Sequence, residues 1–145
     1  MIPHENILAQ LKPPAAEAAA HAYAPYSRFP VGAAVMTAAG RIYSGCNVEN
    51  ASFGLTQCAE RSALAAAVAD GATRGSISAL VIYTPGLQAH PPCGACRQVM
   101  HELMSADSTV LSCCDSEHTR CWSHSEYLPN PFVPEALKSF RDEES

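Results

Sequence analysis

The chain has 145 residues, enough for one domain with one hydrophobic core, and we expect residues 1–145 to form a single domain. Hydrophobic residues make up 48% of the sequence, which excludes a disordered protein. The 14 acidic and 9 basic residues give a net charge of −5, which argues against a nucleic-acid polymer as partner and favours a small-molecule substrate.

The first half of the chain predicts a helix followed by a hairpin. Apolar and alanine-rich positions predict a helix over residues 5–23, with Pro13-Pro14 restarting it at a first turn. Val31–Thr37 and Arg41–Cys46 are both β-like, and Ala39-Gly40 between them is typical of a turn. We therefore expect these two strands to pair as an antiparallel hairpin.

The second half predicts alternating helices and strands. Helix-forming residues fill 57–70, and Gly94–Met104 has its apolar positions at helical spacing. Between them, Ile77–Thr84 is apolar at nearly every position and predicts a central strand that is covered on both faces. Thr109–Cys113 predicts a fourth strand and Arg120–Trp122 a short fifth one.

The last part of the chain predicts a helical turn ending at Tyr127-Leu128-Pro129 and a short helix over Pro134–Phe140. A hairpin followed by alternating helix and strand predicts an α/β fold. We expect a three-layer α/β/α sandwich around a mixed, about five-stranded sheet.

Seven cysteines in so short a chain raise the question of redox compartment. Their number is odd, three of them have metal-ligand spacing, and residues 1–11 lack the pattern of a secretory signal. No apolar run is long enough to span a membrane. We therefore expect a cytoplasmic protein with reduced thiols and no membrane partner.

Two cysteine motifs carry the chemistry: C-A-E-R at residues 58–61 and P-C-G-A-C at residues 92–96. Cys93 and Cys96 are three residues apart at a predicted helix start, so both sulfurs can face one metal ion. With Cys58 they form a set of three zinc ligands. A tetrahedral zinc ion with three protein ligands keeps one position open, which is typical of a catalytic site.

Glu60 lies two residues after Cys58, where it can sit beside the metal without binding it. This pattern is typical of zinc nucleobase deaminases. In that chemistry a zinc-bound hydroxide attacks C4 of the pyrimidine, and Glu60 is the predicted proton shuttle. Arg61 can donate hydrogen bonds to the sulfurs and withdraw part of their charge.

Two other interpretations of the cysteines stay open at this point. A structural zinc site needs a fourth protein ligand, and none is suitably spaced. None of the six histidines has ligand spacing to another, and His90, the nearest to a ligand in sequence, is interpreted as a loop residue. A C-x-x-C redox pair also follows a strand and opens a helix, so position alone does not exclude it.

Four segments carry a resemblance to a known family. They are YAPYSRFPVGAA at 23–34, GCNVENASFGL at 45–55, CAER at 58–61 and PCGACRQV at 92–99. The sequence resembles the short-chain cytidine deaminases of pyrimidine salvage, in order from about residue 5 to residue 105 and again at residues 128–132. The resemblance implies conversion of cytidine and deoxycytidine to uridine and deoxyuridine by a homotetramer with one zinc ion per subunit.

The resemblance also implies roles for substrate-binding residues. Asn47 and Glu49 match the pair that holds the ribose hydroxyls, and Phe29 matches an aromatic side chain that packs on the base. The Ala59 backbone matches a group that fixes the pyrimidine, and Phe132 matches an aromatic side chain lent to a neighbouring subunit. The residues alone equally allow turn roles for Asn47 and Glu49 and favour a core position for Phe29.

Two features depart from the family pattern. Segment 105–127 is more polar and richer in cysteine than the resemblance implies, and Phe53 stands where the family often has tyrosine. A deaminase of a modified cytosine nucleoside, such as an aminoglycosyl antibiotic, stays an alternative, because such enzymes share the zinc motifs and diverge at the sugar loop. A polynucleotide editor is disfavoured by the acidic balance, and a non-catalytic zinc or thiol-redox module is the alternative outside this chemistry.

Overall fold

The computed structural model describes residues 2–143, so the expected domain of residues 1–145 extends slightly beyond the described part at both ends. The helices are α1 (His4–Ala20), α2 (Ala59–Ala69), α3 (Gly94–Leu103), α4 (His124–Tyr127) and α5 (Pro134–Glu143). The strands are β1 (Gly32–Thr37), β2 (Ile42–Cys46), β3 (Ile77–Tyr83), β4 (Met104–Cys113) and β5 (Arg120–Ser123). A short 3-10 helix covers Phe53–Leu55. No helix within residues 2–143 is long and apolar enough to cross a membrane.

The five strands form one mixed sheet in the order β2-β1-β3-β4-β5. β1 pairs antiparallel with β2, which confirms the predicted hairpin, and antiparallel with β3. β3 and β4 are parallel, with α3 in the connection between them, and β5 returns antiparallel to β4. The predicted short fifth strand is therefore present at the edge of the sheet.

Side chains of β1, β3 and β4 are divided between two hydrophobic clusters, one on each face of the sheet. One cluster packs α1 against Ala34, Val81 and Leu111. The other packs α2 and α3 against the neighbouring positions, among them Val35 and Leu80. Helices cover both faces, which confirms the predicted three-layer sandwich with β3 as a central strand.

The first helix differs from the prediction in two ways. It ends at Ala20 rather than at residue 23, and it continues through Pro13 and Pro14 without restarting. Proline lacks an N–H donor, so both residues weaken the helix. Leu11 and Ala15 on either side are buried against the sheet, and this packing stabilises the helix across the two prolines.

The strand after α3 is longer than predicted. It begins at Met104 directly after the helix, because Met104 pairs with Ile77, and its register shifts before Thr109 pairs with Ala79. The residues between these two pairs are mostly polar and lack the apolar pattern of a strand, so the sequence did not predict this part of β4. The last helix is also longer than predicted and runs to Glu143, whereas α4 lies where a helical turn was expected.

Gly45 on β2 lies against the N-terminal half of α2. A Cβ atom at this position would come within 2.6 Å of the Ala63 backbone nitrogen and 2.7 Å of the Ser62 Cβ atom. We therefore expect Gly45→Ala to displace α2 and to lower the free energy of unfolding by about 1–3 kcal/mol, as overpacked sites do. Urea unfolding at matched protein concentration measures this.

Gly54 is the matched control, because it is exposed and a Cβ atom there meets nothing within 4 Å. Gly54→Ala should leave the unfolding midpoint close to that of the wild type. Equal stability of the two variants would contradict a tight contact between β2 and α2.

Candidate metal centre

The three predicted metal ligands converge at the beginnings of two helices. Cys58 is the N-cap residue of α2, Cys93 is the N-cap residue of α3, and Cys96 lies in the first turn of α3. Their sulfur atoms all lie within 4.8 Å of one another, and the Sγ atoms of Cys58 and Cys93 are 3.9 Å apart. Within residues 2–143 they form the one group of three potential ligand atoms this close together.

The spacing of the sulfur atoms fits a zinc ion. Tetrahedral coordination with a zinc–sulfur distance of about 2.3 Å places two sulfur ligands about 3.8 Å apart, and the Cys58 and Cys93 sulfur atoms match this at 3.9 Å. Thiolate is also a ligand that zinc prefers. The three cysteines could therefore hold one zinc ion and leave a fourth position for a water molecule.

Positive partial charge surrounds the sulfur atoms. The Cys93 Sγ atom accepts a hydrogen bond from the Cys96 backbone N–H at 3.4 Å, and Arg61 Nη2 donates to the Cys58 Sγ atom at 3.3 Å. Hydrogen bonding from Cys96, followed by that from Arg61 and Cys93, lowers the pKa of Cys58 to about 5. The interaction with Cys58 and burial raise the pKa of Cys96. Of Cys58 and Cys96, Cys58 is therefore the one whose ionised form is favoured.

Glu60 is the only acidic residue of the first turn of α2, and its side chain is almost completely buried, with 5% of its surface exposed. Burial raises the pKa of this carboxyl group above its ordinary value. Glu60 lines the same cavity as Cys58 and Cys93. A carboxyl group that can hold or release a proton therefore faces the space next to the sulfur cluster.

That cavity has a volume of about 180 Å³. It is lined by Phe29, Val31, Asn47, Thr56, Cys58, Ala59, Glu60, Ile82, Thr84, His90, Pro91 and Cys93. Of the predicted substrate-binding residues, Phe29, Asn47 and Ala59 are therefore in its wall. Glu49 lines an adjoining cavity of about 350 Å³, and Thr56 borders both.

Asn47 and Glu49 hold the loop that leads into β1. The Asn47 side chain accepts a hydrogen bond from the Val31 N–H at 2.9 Å and donates one to the Phe29 carbonyl at 2.8 Å. Glu49 Oε1 accepts from the backbone N–H groups of Tyr26 and Ser27, at 2.9 and 3.1 Å. Hydrogen bonding to Ser27 lowers the pKa of Glu49, which favours its charged form.

The hydrogen bonds to the loop do not use the full acceptor capacity of the Asn47 and Glu49 side chains. An ionised carboxylate can accept about four hydrogen bonds and an amide oxygen two, so both residues, which line the cavities, keep unused acceptor capacity. The turn role and the binding role, which the residues alone left as alternatives, are therefore compatible. Asn47 is 8% exposed and already fixed in orientation.

Of the predicted substrate-binding residues, Phe132 is the one that lines neither of these two cavities. Its side chain is 62% exposed, and its carbonyl oxygen accepts a hydrogen bond from Gln98 Nε2 on α3 at 2.7 Å. An exposed ring on a segment held against α3 is available to a neighbouring subunit. Its role in a shared site stays a prediction.

Three polar residues of the cavity wall were not predicted from the sequence as site residues: Thr56, Thr84 and His90. Thr84 follows the buried strand β3, and His90 is separated from Cys93 only by two prolines. The sequence signal for His90 was its short distance to a metal ligand. Because no second histidine lies at ligand spacing to it, the sequence favoured a loop role for His90.

A three-layer α/β/α fold with a cluster of three thiols, beside a cavity that a buried carboxyl group lines, defines a protein of the zinc deaminase class. A family model described as "Cytidine and deoxycytidylate deaminase zinc-binding region" matches residues 7–113, a range that includes all three cysteines. The chain belongs to this zinc-binding cytidine deaminase family, a family of hydrolytic enzymes. The predicted resemblance and the predicted zinc cofactor are thereby confirmed.

Individual relatives agree with this assignment. A cytidine deaminase of Halalkalibacterium halodurans is 45% identical over 116 residues, which cover 80% of this chain and 86% of that protein. One of Sporosarcina psychrophila is 44% identical over 106 residues, covering 73% and 74%. The crystal structure of cytidine deaminase from Burkholderia pseudomallei superposes with a TM-score of 0.81 at 41% identity, covering 90% of this chain and all of that one.

Removing one sulfur should remove the metal. We expect Cys96→Ser, which replaces a fully buried ligand, to lower the zinc content from one ion per chain to a small fraction. Zinc content after dialysis, measured by elemental analysis, checks this. Cys121→Ser is the control, because Cys121 is exposed on β5 and lies outside the cluster. A zinc-free wild-type protein, or equal zinc loss in both variants, would contradict the assignment.

Proposed function

We propose that this protein hydrolyses the 4-amino group of cytidine and deoxycytidine, giving uridine or deoxyuridine and ammonia, in cytoplasmic pyrimidine salvage. The observation that carries the proposal is the buried Glu60 in the wall of the cavity that Cys58 and Cys93 also line. The named relatives are cytidine deaminases, which supports the choice of a cytosine nucleoside as substrate. No basic channel for a polynucleotide is indicated by the net charge of −5.

A zinc ion bound to the three cysteines would supply the Lewis acidity that makes water nucleophilic at neutral pH. Glu60 performs the proton transfers. Its carboxylate accepts a proton from the attacking water and passes it to N3 of the ring. It then takes the proton left on the new C4 hydroxyl group and gives it to the amino nitrogen, which departs as ammonia.

The raised pKa of Glu60 suits both halves of this cycle. A carboxyl group with its ordinary pKa would release a proton to water readily but would hold one poorly. Burial raises this pKa above its ordinary value, which favours the protonated form that hands a proton to the substrate. The cavity also excludes bulk water from Glu60, which is 5% exposed.

Arg61 has a separate task. Three thiolates and a zinc ion carry a charge of about −1 in total, which weakens the Lewis acidity of the metal. Arg61 donates to the Cys58 Sγ atom at 3.3 Å, and its guanidinium group carries a permanent positive charge. The hydrogen bond withdraws charge from one sulfur atom, as expected of a group that tunes a metal site.

The nucleoside is oriented by the loop side of the cavity. Asn47 and Glu49 offer acceptors to the ribose hydroxyls, Phe29 packs on the base, and the Ala59 backbone fixes the pyrimidine edge. Phe132 reaches the site of a neighbouring subunit in a homotetramer. Exposed rings support these roles: Phe29 is 44% and Phe132 is 62% exposed.

Glu60→Gln should abolish turnover while the metal and the fold remain. The amide keeps the size of the side chain but cannot transfer protons. We expect kcat for cytidine to fall by at least about 10²–10⁴-fold, the range of general acid–base contributions. Loss of cytidine absorbance measures turnover, and elemental analysis measures zinc.

Glu17→Gln on α1 is the matched control, because Glu17 is exposed and lies outside the cavity. It should turn over cytidine like the wild type. A Glu60→Gln protein that retains zinc and wild-type turnover would reject the proton-shuttle role. If the activity of the protein is unaffected by Glu60→Gln and depends on redox cycling of Cys93 and Cys96, the protein is a thiol-redox module instead.

Two substitutions of Glu49 can separate its contacts with the loop from its proposed contacts with the ribose. Glu49→Ala removes both, and we expect KM for cytidine to rise by at least about 10-fold, because hydrogen bonds to charged groups contribute about 1.5–3 kcal/mol. Glu49→Gln keeps an Oε1 acceptor for the Tyr26 and Ser27 N–H groups and should raise KM less. Steady-state kinetics with cytidine and deoxycytidine measure the two constants.

The free base cytosine supplies the control substrate for this comparison, because it has no ribose. Its turnover, however slow, should respond little to Glu49→Gln. If Glu49→Ala leaves cytidine turnover untouched, the ribose assignment is wrong and a modified nucleoside becomes the better candidate substrate.

A further inference from the structure

The cysteine-rich segment after β4 is tied to the loop that leads from β3 to the metal ligands. Asp115 accepts a hydrogen bond from the Gly86 N–H at 2.8 Å and donates its own N–H to the Gly86 carbonyl at 2.9 Å. The Tyr83 hydroxyl group also donates to Asp115. The turn of residues 114–118 therefore fixes the beginning of the loop of residues 84–92.

The same turn fixes the middle of that loop. Ser116 Oγ donates to the Leu87 carbonyl at 2.8 Å and accepts from the His118 N–H at 3.0 Å. The Ala89 N–H donates to His118 Nδ1 at 3.0 Å. Cys114 is fully buried, and its Sγ atom donates to the His118 carbonyl at 3.4 Å. Ala89 is 4% exposed, so loss of the imidazole would leave a buried N–H group unpaired, which is unfavourable.

The residue after Ala89 is His90, whose side chain reaches the nucleoside cavity. Its ring meets the Phe29 ring edge to face, with a centroid separation of 5.5 Å and an interplanar angle of 77°. His90 and Phe29 both line the cavity that contains Cys58 and Glu60. The position of His90, and with it one side of the Phe29 ring, therefore depends on the hydrogen bonds of the 114–118 turn.

The metal end of the loop is held independently of that turn. Arg97 Nε on α3 donates to the Pro92 carbonyl at 2.9 Å, directly before Cys93. Pro91 and Pro92 have fixed φ angles and separate this point from His90. A change at the 114–118 turn should therefore move His90 while the sulfur atoms and Glu60 stay in place.

We propose that His90 is a substrate-contacting residue that sets the affinity for the nucleoside, and that His118 and Ser116 are positioning residues that act through it. This inference rests on the proposed function of the same cavity. An imidazole offers a donor, an acceptor and a ring face or edge, which suits a ligand that has both a heteroaromatic ring and hydroxyl groups. The edge-to-face contact also keeps Phe29 in place for the base.

The test is a double-mutant cycle with cytidine as substrate. His90→Ala should raise KM by about 3- to 10-fold, the factor that an aromatic pair contributes, with kcat within about twofold of the wild type. His118→Ala should raise KM in the same direction. In the His90→Ala background, His118→Ala should have little further effect, because residues that act through one another are not additive.

Two controls separate positioning from general destabilisation. His118→Asn should restore a KM close to that of the wild type, because its amide oxygen can accept from the Ala89 N–H in place of Nδ1. Ser78→Ala removes a side-chain hydrogen bond to the Met36 carbonyl in the sheet, away from the cavity. It should lower stability without changing KM.

Wild-type turnover in the same assay tests the proposed function separately. In an enzyme that turns over cytidine, an unchanged KM for His90→Ala would overturn the role of His90. A rise in KM for His118→Ala that is equally large in both backgrounds would overturn the positioning role. His90 is exposed, so His90→Ala should fold and give a result in either case.

Discussion

The site depends on one electrostatic constraint: three sulfur atoms and a carboxyl group share a small, partly buried volume. Negative charge concentrated in this way is unfavourable unless positive charge faces it. The protein supplies that charge from the beginning of α3, where the Cys96 backbone N–H donates to the Cys93 Sγ atom, from the N-terminus of α2, which begins at Cys58, and from the Arg61 guanidinium group. A bound zinc ion supplies the rest, so metal binding and local stability should be strongly linked.

The topology of the sheet explains why the other parts of the site meet at this point. β1 runs antiparallel to both β2 and β3, so Gly32 at the start of β1 pairs with Cys46 at the end of β2 and with Tyr83 at the end of β3. The segments before β1 and after β2 and β3 therefore leave the sheet at the same edge. They carry Phe29, Asn47 and His90 to one cavity, next to the N-termini of α2 and α3.

The sequence was informative where function depends on short-range spacing. Two short spacings predicted a cluster that the folded chain contains. They are the i, i+3 spacing of Cys93 and Cys96 and the i, i+2 spacing of Cys58 and Glu60. Features that depend on contacts between residues far apart in the sequence could not be predicted in this way. The continuation of α1 through Pro13 depends on packing against the sheet, and the wall position of His90 depends on hydrogen bonds to residues nearly thirty positions away.

The residues that build the loop side of the cavity are also the residues proposed to bind the nucleoside. Asn47 holds the backbone on both sides of Pro30, and Glu49 holds Tyr26 and Ser27. Their acceptors are therefore oriented before any ligand arrives, which lowers the conformational entropy lost on binding. Truncating either side chain therefore removes the hydrogen bonds that hold the loop as well as those proposed for the ligand. Only substitutions that keep the backbone contacts can isolate the contribution of binding. Glu49→Gln is such a substitution, because its Oε1 atom can still accept from the Tyr26 and Ser27 N–H groups. Asn47→Asp is not, because a carboxylate cannot donate to the Phe29 carbonyl.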